Sequence, residues 1–187
     1  MGHGLGMPHS FDNTRDSCGG SPGEYCDKWD IMSALNVYTF KETNYVTPRL
    51  RHNTAGTGLD VPNLLQMGWI PDSRIATYTI GAPDTNFTLN ALSHPLGTAP
   101  LTVKIPDFPF LFTVEYRQKD GWDAGIPANA VVLHTYTVGA NPYSFLFETK
   151  TFAGAILAGQ TLTLGNFRIR VNSTGGPGGT ANITIGR

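Results

Sequence analysis

At 187 residues the chain is long enough to bury a core as one or two domains. Its 13 Lys and Arg nearly balance 14 Asp and Glu, with no basic run to track a phosphate backbone, which argues against nucleic acid as a partner. No stretch approaches the ~18 consecutive apolar residues of a membrane helix, and few charges with abundant Gly and Pro suit a β-rich extracellular protein.

Residues 1–9, MGHGLGMPH, read as the tail of a helix broken at Gly4 and Gly6, followed by a turn at Pro8. Residues 10–28 form a polar loop holding both cysteines, Cys18 and Cys26. A bridge between them would constrain the loop by roughly 2–3 kcal/mol in the chain-entropy model; two free thiols are the alternative. Residues 29–40 are apolar enough to be mostly buried, and residues 41–58 read as irregular. The stretch Leu59–Ile70 predicts a short helix, with Asp60 as its cap, Pro62 in its first turn and Gly68 at its end.

After Pro71 the pattern becomes period two. Strands are expected at Arg74–Ile80, Asn86–Leu92, Leu101–Ile105, Leu111–Arg117, Ala130–Val138, Tyr143–Thr149, Gln160–Leu164, Phe167–Asn172 and Ala181–Ile185. Strands without intervening helices predict an antiparallel sandwich. The expected architecture is therefore α+β: a mainly irregular and helical lobe over 1–72, then a β-sandwich-like domain over 73–187. Sequons at Asn86, Asn172 and Asn182 fit a secreted glycoprotein.

His3, Gly6 and His9 match the second half of the zinc signature H-E-x-x-H-x-x-G-x-x-H, and Trp29-Asp30-Ile31-Met32-Ser33-Ala34 matches the Met-turn pattern. With GEYCDKWDIMSA and TGLDVPNLLQMGWI, these residues resemble the secreted metzincin-type zinc metallopeptidases, particularly the gametolysin-like and immune-inhibitor-A-like groups. The likeness extends more loosely to Val114–Pro127. It implies peptide-bond hydrolysis by zinc-activated water on a protein or peptide substrate. His3 and His9 would be the second and third zinc ligands, and Met32 would lie beneath the metal without bonding to it.

The first His and the general-base Glu of that signature would precede Met1, so no catalytic base is assigned within these residues. The chain is expected to be part of a longer precursor, to bind zinc weakly and to lack protease activity by itself. Asp12, Asp16, Asp27 and Asp30 are nearby substitute ligands that spacing does not separate. A non-catalytic secreted binding or adhesion module with a vestigial peptidase lobe is the second reading.

Other polar residues invite plainer readings. His134 alternates within a strand and reads as a sheet-face residue, while His52 and His94 have no spacing relation to His3. Glu115, Arg117, Lys119, Asp120 and Asp123 read as a solvated hairpin tip, without the ligand series of a calcium loop. Trp122 and Tyr116 suggest cross-strand packing more than carbohydrate stacking. Pro106–Phe110 reads as a stiff apolar connector.

Overall fold

The computed structural model describes residues 2–14, 18–33, 37–41, 54–137, 143–149, 151–176 and 178–187. Asp16, Ala34 and His52, named above, lie outside the described residues. The strands are β1 (Phe11–Asp12), β2 (Phe40–Lys41), β3 (Thr54–Ala55), β4 (Ile75–Thr77), β5 (Thr85–Asn90), β6 (Thr102–Asp107) and β7 (Phe110–Arg117). They continue as β8 (Ala130–Thr137), β9 (Phe145–Leu146), β10 (Ala155–Ile156), β11 (Thr161–Leu164), β12 (Phe167–Gly176) and β13 (Thr180–Gly186).

Two sheets carry the fold. One has seven strands in the order β1-β9-β8-β7-β6-β4, with β10 pairing β8 beside β9. Its outer pairings, β1 with β9 and β4 with β6, are parallel, and the others are antiparallel. The second is an antiparallel four-stranded sheet, β11-β12-β13-β5. A two-stranded ribbon joins β2 and β3.

Period-two alternation explains how the sheets pack. Phe112, Val114 and Tyr116 of β7 and Val131 and Leu133 of β8 meet Leu89, Ile169, Val171, Ile183 and Ile185 of the smaller sheet in one apolar core. Fully burying each such side chain contributes about 1.5–3 kcal/mol. The expected β-sandwich is therefore present, and seven of its nine strands lie close to their predicted ranges, whereas only Ile75–Thr77 of the expected strand Arg74–Ile80 is strand. The segment 143–149 is also different, because only Phe145–Leu146 pairs as a strand. The short strands β1, β2, β3 and β10 escape sequence reading because two residues carry no periodicity.

The helix α1 spans Val61–Gln66. The Asp60 side chain accepts from the Asn63 amide at 2.8 Å, Pro62 occupies the first turn, and Gly68 follows with φ +68°. Its Val61, Leu64 and Leu65 pack with Ile70, Ile75, Leu92 and Leu101.

The second face of β7 and β8 is also covered. Trp29 packs with Ile126, Ala130, Val132 and Leu146, α1 lies against β7 and β8, and the Phe11 amide donates to the Ser144 carbonyl at 2.9 Å. Residues on both sides of position 72 thus share one sheet, which becomes a middle layer. The segment Pro106–Phe110 is the β6–β7 hairpin rather than a free connector, with a cis Phe108–Pro109 bond and Phe108 89% exposed at its tip. Among the described residues, no helix is long and apolar enough to cross a membrane.

Candidate functional site

The segment Gly2–Leu5 is a 3₁₀ turn rather than the end of an α-helix. Gly6 at φ +84° reverses the chain, and the Gly6 amide donates to the His3 carbonyl at 3.0 Å. The reversal brings His9 back to His3, with their Nε2 atoms 2.9 Å apart. Both rings line an open cleft of about 330 Å³ with Pro8, Phe11, Ser21, Glu24 and Tyr143.

Hydrogen bonds on the far nitrogens determine which atoms face the cleft. His3 Nδ1 lies 3.0 Å from the Met7 carbonyl, which can only accept, so this nitrogen carries the proton. His9 Nδ1 lies 2.5 Å from Glu24 Oε1. The His9 hydrogen bond holds the Glu24 carboxyl below its ordinary range, so it too accepts. In neutral rings both Nε2 atoms therefore carry lone pairs, aimed at one another. Two lone pairs at 2.9 Å require a cation between or beside them, either a proton on one ring or a metal. Two nitrogens on one tetrahedral zinc sit roughly 3.3 Å apart, so the donor set fits zinc with a small adjustment. Nδ1 anchoring of this kind fixes the tautomer of metal-binding imidazoles.

The disulfide Cys18–Cys26 closes the loop that supplies Glu24. The loop is tied to β1: the Asp12 amide donates to the Gly23 carbonyl at 2.9 Å, and the Tyr25 amide to the Ser10 carbonyl at 3.1 Å. Tyr25 is held at φ +64°, and its hydroxyl lies 3.0 Å from His9 Nε2. Met32 is buried, and its carbonyl accepts from the Ser10 amide at 3.3 Å, which sets the Met32 backbone against the residue following His9.

Beneath this cleft lies a buried polar network on the second face of the middle sheet. Ser10 donates to Asp30, which also accepts from Asn63 Nδ2 at 2.7 Å and the Asp60 amide at 3.2 Å. Asp60 accepts from Ser144 and lies 3.8 Å from His134 Nε2. The same nitrogen lies 3.1 Å from Asp27, and His134 Nδ1 faces Glu115 at 3.6 Å, beyond hydrogen-bond distance. Glu115 accepts from the Val61 amide at 2.7 Å and from Arg117 at 3.0 Å. Arg117 also grips Asp123 through two nitrogens, at 2.6 and 2.9 Å, and donates to the Gly58 and Leu59 carbonyls. All five guanidinium protons are thus satisfied.

The charges of this network regulate one another. Burial opposes charge on His134, but Glu115 and Asp27 outweigh it and hold the imidazole well above its ordinary pKa. Burial pushes Asp60 up to about 6, against the pull of His134, and holds Asp30 well above the carboxylate range, reinforced by Asp60. Glu115 is also buried, yet His134 and Arg117 hold it below its usual value. Asp27, Asp60 and His134 offer ligand atoms within 4.8 Å of one another, a cation-binding arrangement in principle. His134 Nε2 lies 3.1 Å from Asp27, and we read the cluster as a buried ion pair.

Two expectations from sequence need correction. Glu115, Arg117 and Asp123 are not a solvated hairpin tip: their side chains are at most 2% exposed. Glu115 and Arg117 alternate correctly for an outward face, but Asp27, Trp29, residues 58–61 and Asp123 cover that face. For the same reason His134 lies on the sheet but inside the network. Of the substitute ligands, Asp12, Asp27 and Asp30 are all buried, and Asp27 and Asp30 bond elsewhere, to Trp29 and His134 and to Ser10 and Asn63. The carboxylate that reaches His9 is Glu24, which spacing did not single out. Its signal was the adjacent cysteine pair, which folds GEYC back onto β1. Trp122 is 59% exposed, whereas Tyr116 is in the core. His94 pairs with Asp120 at 2.6 Å.

The sequon residues Asn86, Asn172 and Asn182 are exposed on one face of the smaller sheet. Thr184 donates to Asn86 and accepts from Asn172, while Thr88 donates to Asn182. Comparison of the chain with protein-family models, curated proteins and solved structures finds no match.

Proposed function

We propose that residues 2–33 carry part of the active site of a secreted zinc-dependent metalloendopeptidase, with His3 and His9 as metal ligands. The observation that supports this reading is the convergence of two imidazole Nε2 lone pairs, each ring anchored through Nδ1. Bound zinc would supply a Lewis acid and an activated water for hydrolysis. The chain's own residues hold and orient. Glu24 fixes the His9 ring, and the Met7 carbonyl fixes the His3 ring. The loop bridged by Cys18 and Cys26 presents Glu24.

Glu24 is not the general base, because its carboxylate is committed to His9 Nδ1. The 187 residues alone should therefore leave casein uncut. Zinc titration of the metal-free protein tests the reading, followed by a chelator-competition assay. His3→Ala and His9→Ala should each abolish uptake, whereas unchanged uptake in both variants would overturn it.

A further inference from the structure

Resting on that reading, we propose that Tyr25 is a further protein ligand of the metal, beside His3 and His9. Its hydroxyl lies 3.0 Å from His9 Nε2 and His3 Nε2 lies 2.9 Å from that same atom, so two further donor atoms gather around one point. The rings of His9 and Tyr25 are 4.3 Å apart between centroids and tilted by 47°.

Position alone does not distinguish a ligand from a hydrogen-bond donor, and the variants described below separate the two. Tyr25 has a single proton to give. Donating it to a neutral His9 leaves His3 Nε2 facing a nitrogen with no proton between them, which either a proton on His9 or a divalent ion relieves. A divalent ion satisfies all three atoms together, with the phenol proton released to solvent and the phenolate oxygen taking a position on the ion. Phenolate and imidazole are compatible donors for zinc and copper.

The backbone indicates that the placement is built in. Tyr25 is a non-glycine residue at φ +64°, a left-handed conformation that side-chain-bearing residues seldom adopt. Three features hold it there: the Cys18–Cys26 bridge, the Tyr25 amide bonded to Ser10, and the Glu24–Phe11 bridge to β1. Both flanking positions are used as well, since Glu24 anchors His9 and Cys26 closes the loop.

Metal-free protein of the full 187 residues is titrated with equimolar Cu²⁺, then with Zn²⁺ against a competing chelator. A copper–phenolate bond gives a visible charge-transfer band that copper–imidazole bonds do not. The unsubstituted protein should show that band. Tyr25→Phe should lose it, retain its far-ultraviolet circular dichroism, and bind Zn²⁺ at least about tenfold more weakly, comparable to losses on disturbing a metal's outer shell. No band in the unsubstituted protein, or a band that survives Tyr25→Phe, overturns the assignment. Zinc affinity that falls in His3→Ala and His9→Ala but not in Tyr25→Phe overturns Tyr25 alone. Affinity unmoved in all three overturns the peptidase reading with it.

Discussion

The two faces of the seven-stranded sheet differ in that one carries a buried charge network and the other does not. Toward the smaller sheet, β7 and β8 present Phe112, Val114, Val131 and Leu133 to an apolar core. Toward the N-terminal segment they present Ala130 and Val132 to Trp29 and, beside them, Glu115, Arg117 and His134, equally buried but charged. The apolar face tolerates small changes in shape, because dispersion and hydrophobic gain accrue atom by atom. The charged face is more exacting. Each ion there pays several kcal/mol of desolvation, and only complete pairing offsets it. Removing a partner on that face leaves a stranded charge, whereas trimming a methyl on the other leaves a small void.

The sharpest break of that contrast is Arg117→Met. It strands Glu115 and Asp123 in the interior and should cost about 3–5 kcal/mol in urea unfolding. A loss no greater than that of a core trim would show the network to be peripheral to stability.

Next is pH. Folding raises Asp60 from 3.8 to about 6 and raises Asp30 and His134 as well, so the folded state binds more protons than the unfolded one. Stability linked to a raised group is full below its unfolded pKa and is lost as pH rises through the folded one. For Asp60 this amounts to about 3 kcal/mol, lost between roughly pH 4 and 6. His134 extends the decline above its ordinary 6.5. Glu115, lowered from 4.5, has the opposite sign and loses its contribution only as the solution becomes acidic. The melting temperature should therefore fall steadily from about pH 4.5 upward. His134→Gln should move the Asp60-linked part of the decline to higher pH, because the imidazolium holds Asp60 down. A melting temperature that climbs from pH 5 to 8 would contradict the charge assignment.

Loss of the bridge by Cys18→Ser with Cys26→Ser should cost about 2–3 kcal/mol. Hydrogen exchange should rise at Glu24 and Tyr25 while β7 and β8 remain protected. Faster exchange throughout β7 would mean that the loop also supports the sandwich. The smallest effect belongs to the apolar face, where Ile183→Val should cost about 0.5–1.5 kcal/mol without changing the pH profile.

The sandwich was legible in sequence because alternation over five or more residues is a local property of a strand. Helix α1 was legible for a similar reason, since Asp60, Pro62 and Gly68 mark its ends within one segment. The two histidines were legible as a spaced pattern. Their partners were not: Glu24 is 15 residues from His9, and only the turn closed by Cys18 and Cys26 brings it back. The buried network was the least legible. Glu115 and Arg117 alternate as an exposed face would, and a strand does not encode what later covers it.

By itself the sequence determined the period-two strands, the capped helix, the cysteine pair and the half-signature of His3, Gly6 and His9, each written within a short span of residues. Tertiary structure alone decided that Glu24 anchors His9 and that the Tyr25 hydroxyl lies 3.0 Å from the same ring. It also made the polar face of β7 and β8 an interior. Those outcomes depend on contacts between distant segments, such as the 107 residues separating Asp27 from His134. Burial converts such separations into strong electrostatics by removing the water that would otherwise screen them.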